Sequence, residues 1–297
     1  MTLNRDAVQE RIGIIGGSGL QSMLALNDEE RINVETVFGK PSEQLLLGKL
    51  GQVPVAFLQR HGHGHRIPPA QINVRANMAA LRLVGCTQGL SMSAVGSLRE
   101  DVPPGTFVLV DQFIDRTIQR DKTIFGRGLM AHVPFGDPVC ARMRAALRRV
   151  AADLEMPARP DGTYVVMEGP HFSPRAESNL YRSWGGTVIG MTAMPEAKVA
   201  REMELCYSIV AMAIDYDCWF SGEDPVTAGM VGKRMEAVGQ HANRLLMRVC
   251  GELAEKPALC PCGCNRALDA AIMTAPEHRD PDLLARLASV IPRIRDL

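Results

Sequence analysis

Five short segments of the 297-residue chain bring together residue types that could do chemistry. Gly16-Gly-Ser-Gly19 directly follows the β-branched run Arg11-Ile-Gly-Ile-Ile15. Glycines let a loop turn its backbone N–H groups toward an anion, and Ser18 adds a hydroxyl donor. The segment is not a Walker A loop, because no Gly-Lys-Ser/Thr follows, and the G-x-G-x-x-G spacing of dinucleotide sites also fails. Gln59-Arg-His-Gly-His-Gly-His65 sets three alternating histidines beside an arginine. Imidazole is a common metal ligand, but glycines between the histidines leave no fixed face and no acidic residue lies in the run. Anion binding by the planar donor fork of Arg60, with His61, is the better reading. Ser91-Met-Ser-Ala-Val-Gly-Ser97 offers a second cradle of small residues and hydroxyls. Asp215-Tyr-Asp217 follows the apolar run Tyr207–Ile214. If the strand continues, alternation sends both carboxylates to one side. A carboxylate pair at a buried strand end should have separated pKa values, one of them raised. Finally, Cys260-Pro-Cys-Gly-Cys264 lies downstream of Cys250. Its spacing departs from the C-x-x-C of structural zinc sites. A local disulfide or buried thiols is therefore the expectation, with Cys140 and Cys206 as further candidates for pairing. Each segment alone has a plainer reading as a turn, a solvated loop or a cap.

The elements that must position these segments alternate between strand and helix. Residues 11–15 read as a buried strand ending in the glycine loop. Gln44–Leu50 and Val53–Gln59 read as a hairpin around Gly51 and Pro54, so the sheet is mixed. Asn73–Val84 carries apolar residues at 74, 78, 81 and 84, a helical period, and Gly85 ends it. Gly89–Ala94 and Thr106–Asp111 read as strands joined by a loop from Val95 to Gly105. Residues 139–156 read as a helix and Thr163–Met167 as a strand. Glu168–Pro174 reads as a rigid loop, Val199–Leu205 as a helix end, Tyr207–Ile214 as the most apolar strand and Pro225–Leu253 as a long helix. The expected class is α/β, with one domain over 1–256 and a cysteine-containing helical extension over 257–297 packed on the same domain.

Composition excludes several function classes. Lys plus Arg is 33 and Asp plus Glu is 33, so no cationic surplus drives nucleic-acid binding. With 46% hydrophobic and 22% charged residues the chain is globular rather than disordered. The longest apolar runs are far short of the ~20 residues of a membrane helix. Met1–Gln9 has no secretory character, and eight cysteines spread over such a chain point to cytoplasmic thiols.

The order of the fragments says more than any one of them. Ile14-Ile-Gly-Gly-Ser-Gly19 is followed by Arg60-His-Gly62, Ser93-Ala94, Gly96-Ser-Leu-Arg-Glu100 and Asp111-Gln-Phe-Ile-Asp-Arg-Thr117. Glu168-Gly-Pro-His-Phe172, Arg175-Ala-Glu-Ser178, Gly190-Met-Thr192, Pro195-Glu196 and Ala213-Ile-Asp-Tyr-Asp-Cys-Trp219 come next. From about Ile12 to Leu253 this succession resembles the trimeric purine nucleoside phosphorylase family, and within it the methylthioadenosine phosphorylases. The resemblance implies a single-domain nucleoside phosphorylase fold, a central mixed β-sheet flanked by helices. It implies phosphorolysis of S-methyl-5′-thioadenosine to adenine and 5-methylthio-α-D-ribose 1-phosphate, a pentosyl transfer of purine and methionine salvage. Inorganic phosphate is then a co-substrate, and no metal or organic cofactor is expected.

By the same resemblance, Ser18, Arg60, His61, Ser93, the backbone of Ala94 and Thr192 hold phosphate. Phe172 stacks on the purine, and Asp215 protonates N7 as the catalytic acid, which a carboxyl raised by burial could do. An ionised Asp217 is acceptor-only, so it suits the 6-amino group of adenine and repels a 6-oxo group. Related 6-oxopurine enzymes place Asn in this region. Met191 meets the ribose, and Val231 walls the 5′ pocket. His132 reaches that pocket from a neighbouring subunit, which implies a homotrimer. The chain departs from the pattern at His171, where Arg is frequent, and at Ile214, Ser18 and Ser93, where Thr is usual. The alternatives are cleavage of methylthioinosine, adenosine or 6-oxopurine nucleosides, a non-catalytic nucleoside-binding module, and a metal hydrolase using the histidine run.

Overall fold

Residues Arg11–Gly16 form strand β1, buried along almost its whole length, as a run with both faces covered requires. The structure is a computed structural model that describes residues 9–17, 20, 26–221 and 228–297, without the side chains of 228, 230–233 and 235–237. The other strands are β2 (Asn27–Ile32), β3 (Leu45–Leu50), β4 (Val53–Gln59), β5 (Cys86–Ser97), β6 (Phe107–Leu109), β7 (Gln112–Asp115), β8 (Ala158–Arg159), β9 (Thr163–Val166), β10 (Val188–Gly190) and β11 (Cys206–Asp215). They form one mixed sheet in the order β2-β3-β4-β1-β5-β10-β9-β7, with β11 paired to β5 and β6, and β8 to β6. The expected hairpin is β3–β4, antiparallel around Gly51 at φ 63°.

Strand β5 is the junction of the sheet. It pairs parallel with β1 and β11, and its last residues turn antiparallel onto β10. The sequence ends this strand at Ala94, but it continues through Ser97. Gly96 lowers local strand propensity, yet it pairs with both Ile189 and Asp215, and those pairings decide the outcome. Parity sorts β11 between two cores. Ile209, Ala211 and Ala213 join one, while Val210, Met212 and Ile214 join the other.

The first core is covered by α1 (Val74–Leu83) and the segment α4 (Ala193–Glu202), the second by α2 (Ala141–Asp153) and α5 (Ala228–Ala254). Helix α1 opens at Asn73, whose side chain accepts from the Ala76 N–H, and stops before Gly85 at φ 89°. Helix α3 (Arg175–Ser183) buries Tyr181 against Val165 and Ile189. Strand β2 has no counterpart in the sequence reading. Its residues Asn-Asp-Glu-Glu-Arg-Ile are polar and mostly exposed, and pairing with β3 alone makes it an edge strand.

The sequence reading makes residues 257–297 a helical extension packed on the same domain. In the structure Leu268, Ala271, Leu287, Val290, Ile291 and Ile294 are buried in the same core as α1 and α4. This stretch includes the short helix α6 (Pro281–Leu287). It runs along the loop 128–132, where the His132 N–H donates to Ala271 O at 2.8 Å and the Met273 N–H to Met130 O at 2.8 Å. Buried Glu204 accepts from the Leu268 N–H and pairs with Arg293, which anchors the stretch. Among the described residues no helix is long and apolar enough to cross a membrane.

Candidate active site

Strands β4, β1 and β5 are neighbours, so their C-terminal ends converge. Arg60 leaves the end of β4 with its N–H on Gly16 O at 3.0 Å. Its side chain is 3% exposed, and that burial must be matched by partners. The guanidinium donates to Met92 O at 2.9 Å, to Ile15 O at 3.2 Å and to Ser91 Oγ at 2.6 Å. Its Nε stands 3.4 Å from Oε2 of Glu196, whose Oε1 accepts from Tyr207 Oη at 2.6 Å. Of the five N–H donors on a guanidinium, most are therefore engaged inside the protein. The sequence reading offered the whole Arg60 fork to an anion. The structure leaves it one Nη1 proton for a ligand, while Nε–H faces Glu196 as an ion pair without a hydrogen bond.

His61 follows, buried and stacked on His65 with ring centroids 4.1 Å apart. Its Nδ1 lies 2.9 Å from Ile67 O, and a carbonyl only accepts, so the proton is on Nδ1. Burial, countered only in part by that bond, pulls its pKa down to about 4. The ring is therefore neutral near pH 7, with Nε2 as an acceptor suited to a protonated phosphate oxygen.

Three hydroxyls meet across the sheet from this pair. Ser93 Oγ on β5 lies 3.0 Å from Tyr164 Oη on β9 and 3.3 Å from Thr192 Oγ1. Thr192 occupies the N-cap position of α4, yet its hydroxyl makes no cap bond and points to Ser93 instead. Arg120 holds the flanking loops together. Its guanidinium donates to Met191 O at 2.6 Å, Met194 O at 2.8 Å and Glu168 O at 2.6 Å, and it pairs with the Glu168 carboxylate at 3.2 Å.

The carboxylates meet by a route that alternation does not describe. The register of β11 on β5 shifts between Ala213 and Asp215, a bulge that sets Asp215 opposite Gly96. Asp217 lies beyond the strand at φ 48°, and its N–H donates to Asp215 Oδ1 at 2.8 Å. A Cβ at Gly96 would sit 2.9 Å from that same Oδ1 and 3.2 Å from the Asp217 Cβ, so only glycine admits the pair. Ser178 Oγ on α3 donates to Asp217 Oδ2 at 2.5 Å. Burial pushes the Asp217 carboxyl above the usual range despite this bond. The sequence reading had the raised carboxyl at Asp215 and an ionised one at Asp217. The upward shift at Asp217 arises because that side chain is packed against Gly96 and Ser178 away from water. Trp219 fixes the segment, donating from Nε1 to Ser97 O at 2.8 Å.

Residues 11–250 match the family model described as the phosphorylase superfamily. The chain belongs to the phosphorylase superfamily. Its relatives within that superfamily are S-methyl-5′-thioadenosine phosphorylases. That of Rhodospirillum rubrum is 48% identical over 286 residues, covering 96% of this chain and 97% of the relative. That of Cereibacter sphaeroides is also 48% identical, over 95% of this chain and 98% of the relative. A methylthioadenosine phosphorylase from an antarctic soil metagenomic library superposes with a TM-score of 0.87 at 39% identity, covering 96% of this chain and all of that one. A variant adenosine/methylthioadenosine phosphorylase of Schistosoma mansoni, in complex with methylthioadenosine, superposes at 0.81 with 33% identity, over 88% of this chain and 96% of that one.

The phosphorylase fold thus brings Arg60, His61, Ser93, Ala94 and Thr192 to one region, with Asp215 at the end of β11 and Asp217 just beyond it facing Gly96 of β5. Ser18 lies outside the described residues. Val231 belongs to α5, but its side chain is not described. Met191 is half-buried, its Sδ placed where a Cβ on Gly169 would be 2.5 Å away. Phe172 is 51% exposed, and His132 is exposed in the loop against the C-terminal stretch. Sequence reasoning did not assign site roles to Glu196, Tyr164, Arg120 and Ser178. Glu196 and Ser178 stood inside quoted motifs, so a signal existed there. Tyr164 sits in an apolar strand and Arg120 in a polar loop, where nothing local marks them.

Gly190 gives this geometry a test. A Cβ there would overlap Tyr164 Oη, which has no room to retreat at 0% exposure. Gly190→Ala is expected to push the phenol off Ser93 and Thr192. The KM for phosphate should rise about 10-fold, with a stability loss of about 1–3 kcal/mol from overpacking. Steady-state kinetics and urea unfolding read the two, and an unchanged phosphate KM would remove Tyr164 from the cradle.

Proposed function

We propose that the chain catalyses phosphorolysis of S-methyl-5′-thioadenosine to adenine and 5-methylthio-α-D-ribose 1-phosphate. The carrying observation is the bulge in β11 that lays Asp215 across Gly96, three residues along β5 from Ser93. Three strand residues span about 10 Å, a distance that a nucleoside with phosphate at C1′ can bridge. Support also comes from the methylthioadenosine phosphorylases that the chain resembles over nearly its full length.

In this reading phosphate sits at Ser93 Oγ, the Ala94 N–H, Thr192 Oγ1, Ser18, His61 Nε2 and the remaining Arg60 proton. Ser93, Thr192, Arg60 and His61 are held by the surrounding fold before substrate arrives, which lowers the reorganisation cost of the reaction. Phosphate attacks C1′ as the bond to N9 lengthens, and positive charge develops on the ribose beside the anion. The base departs with negative charge and takes a proton at N7 from Asp215. Phe172 covers the purine face, Met191 the ribose and Val231 the methylthio group. His132 serves a neighbouring subunit in a homotrimer, and the cycle needs no organic cofactor. A cytoplasmic location goes with this reading.

Asp217 selects the base. Ser178 donates to Oδ2, and the acceptor positions that remain on the carboxylate suit the 6-amino group. Asp217→Asn adds an amide donor at this place, and the ratio of adenine to hypoxanthine release should fall at least 10-fold. A second reading draws on the raised Asp217 carboxyl: in its protonated form it donates to a 6-oxo group, which favours methylthioinosine. One experiment separates the two. Methylthioadenosine, methylthioinosine, adenosine and inosine are supplied with and without phosphate, and base and sugar phosphate are measured together. Phosphate-dependent adenine release, fastest from methylthioadenosine, supports the first reading. Hypoxanthine release alone supports the second, and no cleavage of any sinks both.

A further inference from the structure

The thiols of the C-terminal stretch lie far in sequence from Cys140, yet they meet it. Cys140 immediately precedes α2, and Cys260, Cys262 and Cys264 are carried on a turn that Gly263 makes at φ 70°. The Gly263 N–H donates to Cys260 O at 2.8 Å and the Cys260 N–H to Asn265 Oδ1 at 2.9 Å, which closes the turn. The four Sγ atoms all lie within 4.8 Å of one another. Cys140 Sγ is 3.6 Å from Cys260 and 3.5 Å from Cys262, while Cys262 is 3.2 Å from Cys260 and 3.6 Å from Cys264.

These separations decide between the chemistries open to four thiols. A disulfide holds its sulfurs at about 2.05 Å, and all eight cysteines of the chain are free. A tetrahedral zinc ion with Zn–S of about 2.3 Å spaces its sulfurs by about 3.8 Å, close to the observed values. An iron–sulfur cluster interposes several atoms and holds its ligands further apart. Four thiolates in a tetrahedron are a set that selects zinc among the abundant divalent ions. The local spacing C-x-C-x-C supplies three ligands, and the fold supplies the fourth from 120 residues upstream of Cys260.

We propose that Cys140, Cys260, Cys262 and Cys264 bind one zinc ion that fastens the C-terminal stretch to the α/β body. Binding forms four Zn–S bonds and releases the four thiol protons to solvent, leaving a centre with two net negative charges. The N-terminus of α2, with no acidic residue in its first turn, offsets that charge. Cys206 borders Cys140 and Cys260 but stands outside the mutually close set. Cys262 is exposed at the edge of a cleft of about 530 Å³ that Arg144 and Arg201 also line, which gives the ion a way in. The consequence reaches the loop 128–132, because the fastened stretch is what the His132 N–H and Met130 O bond to.

The test uses the full chain purified without added metal or chelator. Elemental analysis should find about one zinc per chain, falling below about a tenth in Cys260→Ser and Cys262→Ser and unchanged in Cys86→Ser. The metal-depleted chain with Co²⁺ should show the visible bands and thiolate charge transfer of a tetrahedral four-sulfur site. If a serine variant does not fold, titration of the wild-type chain with an organomercurial should release the zinc in step with thiol modification. A chain that takes up neither zinc nor cobalt overturns the proposal. So does a disulfide among these four cysteines in intact-mass analysis, or iron with inorganic sulfide in their place.

Discussion

Asp215→Asn is expected to cut turnover of S-methyl-5′-thioadenosine by about 100- to 10,000-fold, the range for loss of a positioned general acid. The substitution is chosen because the Asp217 N–H donates to Asp215 Oδ1, and an asparagine oxygen can accept that bond. The turn that shapes the site is therefore kept, and the carboxyl proton alone is lost. Steric cost is also small, since Gly96 already leaves the space that this side chain fills. The decisive comparison is a substrate methylated at N7. Its base leaves without needing a proton there, so the variant should cleave it with at most a few-fold loss. Single-turnover rates of base release, measured for both substrates, test this. Equal losses on both would make Asp215 a positioning residue, and full activity on the natural substrate would end its role altogether.

Arg60→Met is expected to remove two things at once. It deletes the charge beside the phosphate, and it strands Glu196, whose side chain is 4% exposed with Tyr207 Oη as its other partner. Breaking a buried pair in this way costs about 3–5 kcal/mol, mostly the penalty of the unpaired carboxylate. Adding Glu196→Gln removes that penalty, so the double variant should recover much of the stability. It should not recover phosphate affinity, because nothing replaces the guanidinium at Met92, Ile15 and Ser91. Urea unfolding and the KM for phosphate separate the effects in a double-mutant cycle. A single variant as stable as the wild type, or a double variant with normal phosphate KM, contradicts this account.

Much of the site was legible because its members are close in sequence. Arg60-His61, Ser93-Ala94 and Asp215-x-Asp217 each pair two functional types within three residues, so local spacing carried the signal. The apolar run 207–214 and the β-branched run 11–15 announced buried strands for the same reason, since burial on both faces leaves no polar alternation. Strand β2 could not be read this way, because a polar edge strand owes its existence to pairing with β3 rather than to its own composition.

By itself, then, the sequence determined the residue types, the α/β class and the chemistry that a phosphate cradle beside a carboxylate pair can perform. Tertiary structure alone decided how those residues are tuned. Glu196 neutralises Arg60 across 136 residues of chain, a fact of where α4 packs on the sheet. The bulge before Asp215 decides what faces Gly96, and a one-residue slip would turn every side chain of β11 to the other core. The fourth thiol at Cys140 arrives through α2. Such contacts depend on strand register and helix packing summed over the whole core, and no local spacing encodes them.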